Sequence, residues 1–133
     1  MTKILAKTWR NFLILAAIAS SPLTSLVWSI NSEARAETRC GWLANPTPGN
    51  WWLTDRDRTW TIATQGSSRR AQNMELIPDI SAKSKQYVKV NGNYGYACAC
   101  MDVVTNPKQS SITLIKSFEQ LNLALCRNDQ SLP

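Results

Sequence analysis

The sequence predicts an all-β protein, a small disulfide-stapled antiparallel sandwich or open barrel of about six short strands. Short runs of aromatic and β-branched residues alternate with clusters of glycine, asparagine and charged residues, which is the pattern of strands joined by turns. The chain holds four cysteines, an even number that is typical of disulfide pairing in exported proteins. Cross-links are the usual remedy where a small exported domain has only a marginal core.

The N-terminus has the charged, apolar and small-residue order of a secretory signal peptide. Three basic residues lie within the first ten, residues 12–19 form an apolar run, and Ala34–Ala36 supplies a cleavage site. A transmembrane anchor needs about 20 apolar residues, whereas hydroxyl residues and a proline interrupt the run at 20–25. We therefore predict a signal peptide at residues 1–36, cleaved after Ala36, and a periplasmic or secreted product with no membrane association.

Residues 37–133 are predicted to form a single β-rich exported domain, because 97 residues (133 minus 36) are enough for one domain and too few for two. They carry eleven Lys or Arg and eight Asp or Glu, a net charge of +3. This excess is too small and too scattered to indicate nucleic-acid binding.

In the first half of this domain, a loop is expected to precede a hairpin. Residues 40–50 contain two prolines followed by Gly49, which predict a stiff, extended loop with strand structure beginning only at Trp51. Residues 51–54 and 59–64 have strand composition, and the four residues between them are all charged. This pattern predicts a β-hairpin with a solvated tip.

In the second half, the clearest local prediction is another hairpin. Residues 65–70 form a polar turn and 71–85 have no clear periodicity, which predicts irregular structure. Residues 87–90 alternate, the next three supply the residues of a tight turn, and 94–104 form the return strand.

The C-terminal part contains one further strand and one ambiguous segment. Residues 111–117 alternate as a strand does. Residues 118–125 fit either a strand or a short helix, and we favour a strand because eight residues leave little room for a stable helix.

The four cysteines, Cys40, Cys98, Cys100 and Cys126, are predicted to form disulfides. Structural zinc sites take their ligands as pairs two to four residues apart, whereas Cys40 and Cys126 are isolated, and the chain has no histidine. A redox site favours Cys-x-x-Cys at a helix start, whereas Cys98 and Cys100 lie inside a predicted strand. We expect no metal and no cofactor.

Four cysteines allow three pairings. A bond between Cys98 and Cys100 is badly aimed on an extended strand, so each is expected to bind one end of the domain. In a meander of 94–104, 111–117 and 121–126, the pairing Cys40–Cys98 with Cys100–Cys126 is favoured over the crossed alternative.

Aromatic residues supply the candidate binding surface. All four tryptophans of the exported domain fall within 19 residues, and most are expected in the core. Because neighbouring residues on a strand point to opposite faces, one of Trp51 and Trp52 is expected to be accessible. Tyr94 and Tyr96 share one face of their strand, and with the tryptophans they form a candidate platform for an envelope glycan or a protein.

The sequence indicates a non-enzymatic binding or structural module. Asp55 and Asp57 could be a carboxylate pair for glycoside hydrolysis, but their arginine neighbours are expected to neutralise them. No histidine and no Gly-x-Ser-x-Gly motif is present. An inhibitor of an envelope hydrolase such as lysozyme is the alternative, although its +3 charge would be repelled by a basic target, and a carbohydrate-active enzyme is a third.

Several motifs together resemble one family of exported bacterial proteins. They are CGWLANPTPGNWWLTDRDRTWTI, the Gln65-Gly66 pair, NGNYGYACACM and the stretch Leu125 to Arg127. The chain resembles the domain of unknown function 4087, and the similarity spans Cys40 to Arg127. It implies a bacterial envelope or secreted context and a single domain, and it implies no activity and no functional residue.

Overall fold

In a computed structural model, which describes residues 35–133, the chain forms six strands and one short α-helix, so the all-β prediction is confirmed. The elements are β1 Arg35–Thr47, β2 Asn50–Thr54, β3 Thr59–Ala63, β4 Tyr87–Asn91, β5 Tyr94–Asn106, β6 Ser111–Leu121 and α1 Leu123–Asn128. Both predicted hairpins, β2–β3 and β4–β5, are confirmed. Three single 3-10 turns lie between β3 and β4, where irregular structure was expected.

The predicted signal peptide lies almost entirely outside the described residues. Its last two residues, Arg35 and Ala36, form the start of β1. None of the helices within 35–133 is long and apolar enough to cross a membrane.

The strands form one sheet that rolls into an open barrel. The order is β1–β2–β3–β6–β5–β4, and β1 pairs with β5 as well as with β2. These contacts are antiparallel, as predicted, except where β3 meets β6 at the single parallel pair of Thr61 and Ser111. The barrel therefore stays open along most of the seam between β3 and β6.

The irregular segment after β3 bridges part of this seam. The N–H of Ala71 donates to the carbonyl of Ile62 (2.8 Å), and the N–H of Gln72 donates to the carbonyl of Thr113 (2.9 Å). The N–H of Ile115 donates back to the carbonyl of Gln72 (3.1 Å). These bonds satisfy strand-edge groups that would otherwise be buried without partners.

The two faces of β5 differ as its alternation predicts. Ala97 and Ala99 are fully buried, and their small side chains let the barrel interior pack closely against β5. Tyr96 and Cys98 lie on the outer face. The core cluster consists of Leu43, Leu53, Trp60, Ile62, Ala63, Ala71, Met74, Ile80, Tyr87, Ala97, Ala99, Met101, Val103, Ile112 and Ile115.

The prediction of a loop at residues 40–50 was wrong, because most of that segment belongs to β1. Eleven residue pairs, from Arg35 opposite Thr105 to Asn45 opposite Gly95, join β1 to β5. The prolines lie beyond this paired stretch, so they remove no hydrogen bond from it. A partner strand that is distant in sequence determines the structure here, and local composition does not report it.

The preference for a strand at 118–125 was right for its first half only. β6 continues to Leu121, and α1 begins at Leu123. The side chain of Asn122 caps the helix by accepting a hydrogen bond from the N–H of Ala124 (2.9 Å). A disulfide at Cys126 then holds a helix that is too short to be stable alone.

The favoured disulfide pairing was also wrong, and the crossed alternative is present. Cys40 bonds Cys100, and Cys98 bonds Cys126. Cys40 lies directly opposite Cys100 in the β1–β5 register, with Cα atoms 4.1 Å apart. Because β6 runs uninterrupted to Leu121, opposite Cys98, the following helix brings Cys126 to Cys98. Both ends of the domain are still tied to one central strand, as expected.

Candidate functional site

The outer face of the barrel carries three of the four predicted surface residues, of which only Tyr96 lines a groove. Trp52, Tyr94 and Tyr96 lie on this face, and each is half-buried. Trp51 is also half-buried, but it points inward and packs against the core cluster. The opposite orientation of Trp51 and Trp52 therefore follows the strand alternation, and Trp52 is the one that faces outward.

Trp42 is a member of this surface that the sequence did not single out. Its ring meets that of Tyr96 edge to face, with centroids 5.3 Å apart and planes at 85°. Trp42 and Ala44 are two residues apart, so on a strand they share one face. That signal is usable only once residues 40–45 are known to form a strand.

Ala44 leaves an open space between these aromatic rings. It lies opposite Tyr96 on one neighbouring strand and opposite Trp52 on the other. Its methyl side chain fills little of the space between two much larger neighbours. The result is a groove of about 400 Å³, which we call the aromatic groove, lined by Trp42, Ala44, Thr54, Tyr96 and Pro133.

A disulfide fixes the wall of the aromatic groove. Cys98 lies directly opposite Trp42 and bonds Cys126 of α1. Cys98 and Cys126 are both buried, and Sγ of Cys126 lies 3.4 Å from the carbonyl oxygen of Gly41. The helix is therefore held on the outer face beside the groove, and its C-terminal continuation brings Pro133 to the groove's edge.

A cluster of charged residues lies at the β2–β3 hairpin, next to the aromatic groove, because Thr54 of the groove immediately precedes Asp55. Its centre is Arg39, whose guanidinium contacts three carboxylates: Glu37 at 2.8 Å, Asp55 at 2.9 Å, and Asp57. Burial lowers the pKa of Arg39, but its hydrogen bonds to Asp57, Glu37 and Asp55 outweigh that influence and raise the pKa above its ordinary value. We refer to these four residues as the Arg39 cluster.

The hairpin tip is solvated only in part, which corrects the sequence prediction. Arg56, Asp57 and Arg58 are exposed, but Asp55 is buried, with 4% of its surface accessible. Burial raises the pKa of Asp55, but hydrogen bonds from the N–H groups of Arg58 and Asp57 and from Trp60 and Arg39 outweigh it and lower the pKa.

The bonding of Asp55 makes it a structural residue of the hairpin. Its Oδ1 accepts from the N–H groups of Asp57 (2.8 Å) and Arg58 (2.9 Å). Its Oδ2 accepts from Nε1 of Trp60 (2.8 Å) and from Arg39 (2.9 Å). Four donors occupy the acceptor positions of the ionised carboxylate, which leaves none for a substrate.

Two guanidinium groups lie close to the ring of Trp60. The guanidinium carbon of Arg39 is 4.6 Å from the ring centroid, and that of Arg58 is 5.1 Å away. These are cation–π distances. Within residues 35–133, no group of three or more His, Cys, Asp or Glu side chains is arranged to hold a metal ion.

Comparison with known proteins gives one match. A family model described as "Protein of unknown function (DUF4087)" matches residues 34–133, which include every residue of the aromatic groove and of the Arg39 cluster. Neither the curated proteins nor the solved structures gave a match.

Proposed function

The chain belongs to the DUF4087 family of proteins of unknown function, and we propose that it is an exported, non-enzymatic binding domain whose aromatic groove holds a glycan. The observation that carries the proposal is the arrangement of Trp42, Tyr96 and Trp52 around the small residue Ala44. Three neighbouring aromatic rings that stay partly accessible to solvent are typical of a binding site, since rings that only stabilise the core are buried.

The chemistry of the groove supports a sugar ligand. Sugar rings present flat C–H faces that pack on aromatic rings, and the polar groups of tyrosine, tryptophan and threonine can bond their hydroxyls. Tyr96, Trp42 and Thr54, which carry such polar groups, all line the groove. Its volume of about 400 Å³ falls in the range of small-ligand sites.

Two features support location outside the cytoplasm. The four cysteines of residues 35–133 form two disulfides, which persist in oxidising compartments and are rare in the cytosol. The N-terminal segment has signal-peptide composition. Fractionation of cells that express the full chain, followed by intact mass analysis, tests this part: we expect a periplasmic or secreted species that begins at Glu37, and a cytoplasmic species that retains residues 1–36 would contradict it.

Binding is tested by calorimetric titration of the purified protein with neutral and acidic oligosaccharides, alongside three variants. Trp42→Ala and Tyr96→Ala each remove one wall of the groove, and we expect each to weaken binding by about tenfold or more. Val90→Ala is the control, because Val90 is an exposed apolar residue on β4 outside the groove. Binding that survives both groove variants would overturn the proposed site.

A further inference from the structure

A second pocket lies at the seam between β3 and β6, and its lining is polar and cationic. It has a volume of about 280 Å³ and includes Arg69, Arg70, Gln72, Thr61, Ser111 and Thr113. The remaining lining residues are two isoleucines, a serine and a glutamine, so no carboxylate borders the pocket. We call it the arginine pocket.

The positive charges of the arginine pocket are not neutralised by ion pairs. Among residues 35–133, the ion pairs involve Arg39 and Arg56, and neither Arg69 nor Arg70 takes part in one. Arg39 differs from them, because three carboxylates neutralise its charge and give it a structural role. Two exposed arginines beside hydroxyl and amide groups match the donors that bind a carboxylate or a phosphate.

The turn that carries these arginines is held in place by its backbone. The N–H of Thr64 donates to the carbonyl of Arg69 (3.3 Å), and the N–H of Arg69 donates to Oγ of Ser67 (3.0 Å). Arg70 forms a β-bridge with Ala63, the last residue of β3. The two side chains therefore extend from a fixed position beside the seam.

A continuous row of residues joins the arginine pocket to the aromatic groove. Ala44 of the groove lies opposite Trp52, Trp52 lies opposite Thr61, and Thr61 lies opposite Ser111. Thr61 and Ser111 line the arginine pocket. Because neighbouring strands are about 4.8 Å apart, the row from Ala44 to Ser111 spans roughly 14 Å along the surface, which is the scale of a chain of several sugar rings.

We propose that the ligand is an acidic glycan, whose rings pack on Trp42, Tyr96 and Trp52 while its carboxylate or phosphate groups bind Arg69 and Arg70. This inference rests on the proposed function and adds the charge of the ligand to it. Charge complementarity selects this ligand class, because the row leads from an apolar groove to unpaired cations.

The test is an array of bacterial oligosaccharides in three arms: neutral, uronate-bearing and phosphate-bearing. The full-length chain is expressed, and the protein recovered from the cells is applied with its two double variants. Arg69→Ala/Arg70→Ala removes the cations of the pocket. Lys83→Ala/Lys85→Ala removes the same number of charges from an exposed 3-10 turn outside the pocket and is the matched control.

We expect the protein to bind acidic glycans at least about tenfold more tightly than neutral ones of the same length, with an affinity that falls as salt is added. The arginine variant should lose this preference but keep its binding to neutral glycans, and the lysine variant should keep both. The uronate and phosphate arms identify which anionic group is recognised.

Two outcomes separate the inference from the proposed function. Equal binding of acidic and neutral glycans, or a preference for acidic glycans that persists in the arginine variant, would overturn the inference and leave the glycan function standing. If no arm binds, both fail.

Discussion

The indole N–H of Trp60 donates a hydrogen bond to Oδ2 of Asp55 across 2.8 Å, and both residues are buried. This bond fastens a hairpin tip of four charged residues to the core of the barrel. The arrangement explains why a carboxylate is tolerated in the interior: each of its oxygens accepts two hydrogen bonds.

Loss of the Asp55 carboxylate is expected to destabilise the fold strongly. Asp55→Ala leaves the buried indole N–H of Trp60 without its partner and removes one of the three carboxylates that contact Arg39, so the free energy of unfolding should fall by about 3 kcal/mol. Asp57→Ala is the matched control, because that side chain is 48% exposed, and its loss should lower the free energy by less than about 1 kcal/mol. Urea unfolding followed by fluorescence measures both, and equal effects would contradict the assignment.

The lowered pKa of Asp55 predicts acid sensitivity. A carboxyl whose pKa is lower in the folded than in the unfolded state stabilises the fold above its unfolded pKa, which is near 3.8, and loses that contribution as the pH falls through its folded value. The difference in unfolding free energy between the wild-type protein and Asp55→Asn should therefore be largest near neutral pH and shrink below about pH 4. Urea titrations from pH 2 to 7 test this, and a difference that grows at low pH would refute it.

The two disulfides are expected to differ in their reactivity under native conditions. Cys40 is exposed, whereas Cys98 and Cys126 are buried. A mild reductant should open Cys40–Cys100 first, because a thiolate must reach a sulfur to attack it. Alkylation and peptide mass mapping during reduction should label Cys40 and Cys100 before the other pair, and simultaneous labelling of all four would show that the whole domain opens first.

Gly41 is expected to tolerate no side chain. A Cβ at this position would overlap the carbonyl oxygen of Thr54 and lie 2.9 Å from its carbonyl carbon, both of which are backbone atoms of β2. Gly41→Ala should lower the free energy of unfolding by several kcal/mol, on the order of 3, or prevent folding. Gly92→Ala is the comparison: its φ is +59° but its Cβ would meet open space, so only the backbone strain of about 1–2 kcal/mol applies. Thermal melts rank the two variants, and an equal loss would argue against close approach of β1 and β2.

Accessibility of the tryptophans provides a test of the outer face. Acrylamide should quench Trp42 and Trp52, which are half-buried on that face, and should leave Trp60 protected, since only 2% of its surface is accessible. Trp42→Phe and Trp52→Phe should each reduce the quenchable fraction of the fluorescence, whereas Trp60→Phe should raise it. Full protection of all the rings would remove the basis for a binding surface.

Local signals in the sequence were sufficient for the two hairpins and for the separation of Trp51 from Trp52. Composition and alternation determine those features over a few residues, and turn residues such as Asn91 to Asn93 mark where the chain reverses. Strand alternation also placed Tyr94 and Tyr96 on one face, and the structure has them there.

What the sequence could not supply depended on contacts between distant residues. Trp42 was missed because its strand exists through pairing with β5, more than 50 residues later. The disulfide pairing was assigned from an assumed strand at 121–126, and the helix cap at Asn122 overturned it. Asp55 was expected in solvent because its neighbours are charged, although the donors that allow its burial include Arg39, 16 residues earlier.

The order of the cysteines along the chain has a consequence for how the protein is made. The native bonds join the first cysteine to the third and the second to the fourth. In the export that we propose, Cys98 and Cys100 would emerge from a translocation channel almost together, so the order of emergence would not determine which of them bonds Cys40. Only the docking of β1 on β5 makes that choice, and bonds formed earlier must be exchanged, which takes seconds to hours depending on oxidant and isomerase. Biogenesis of this domain should therefore be limited by disulfide isomerase activity more than by the supply of oxidant.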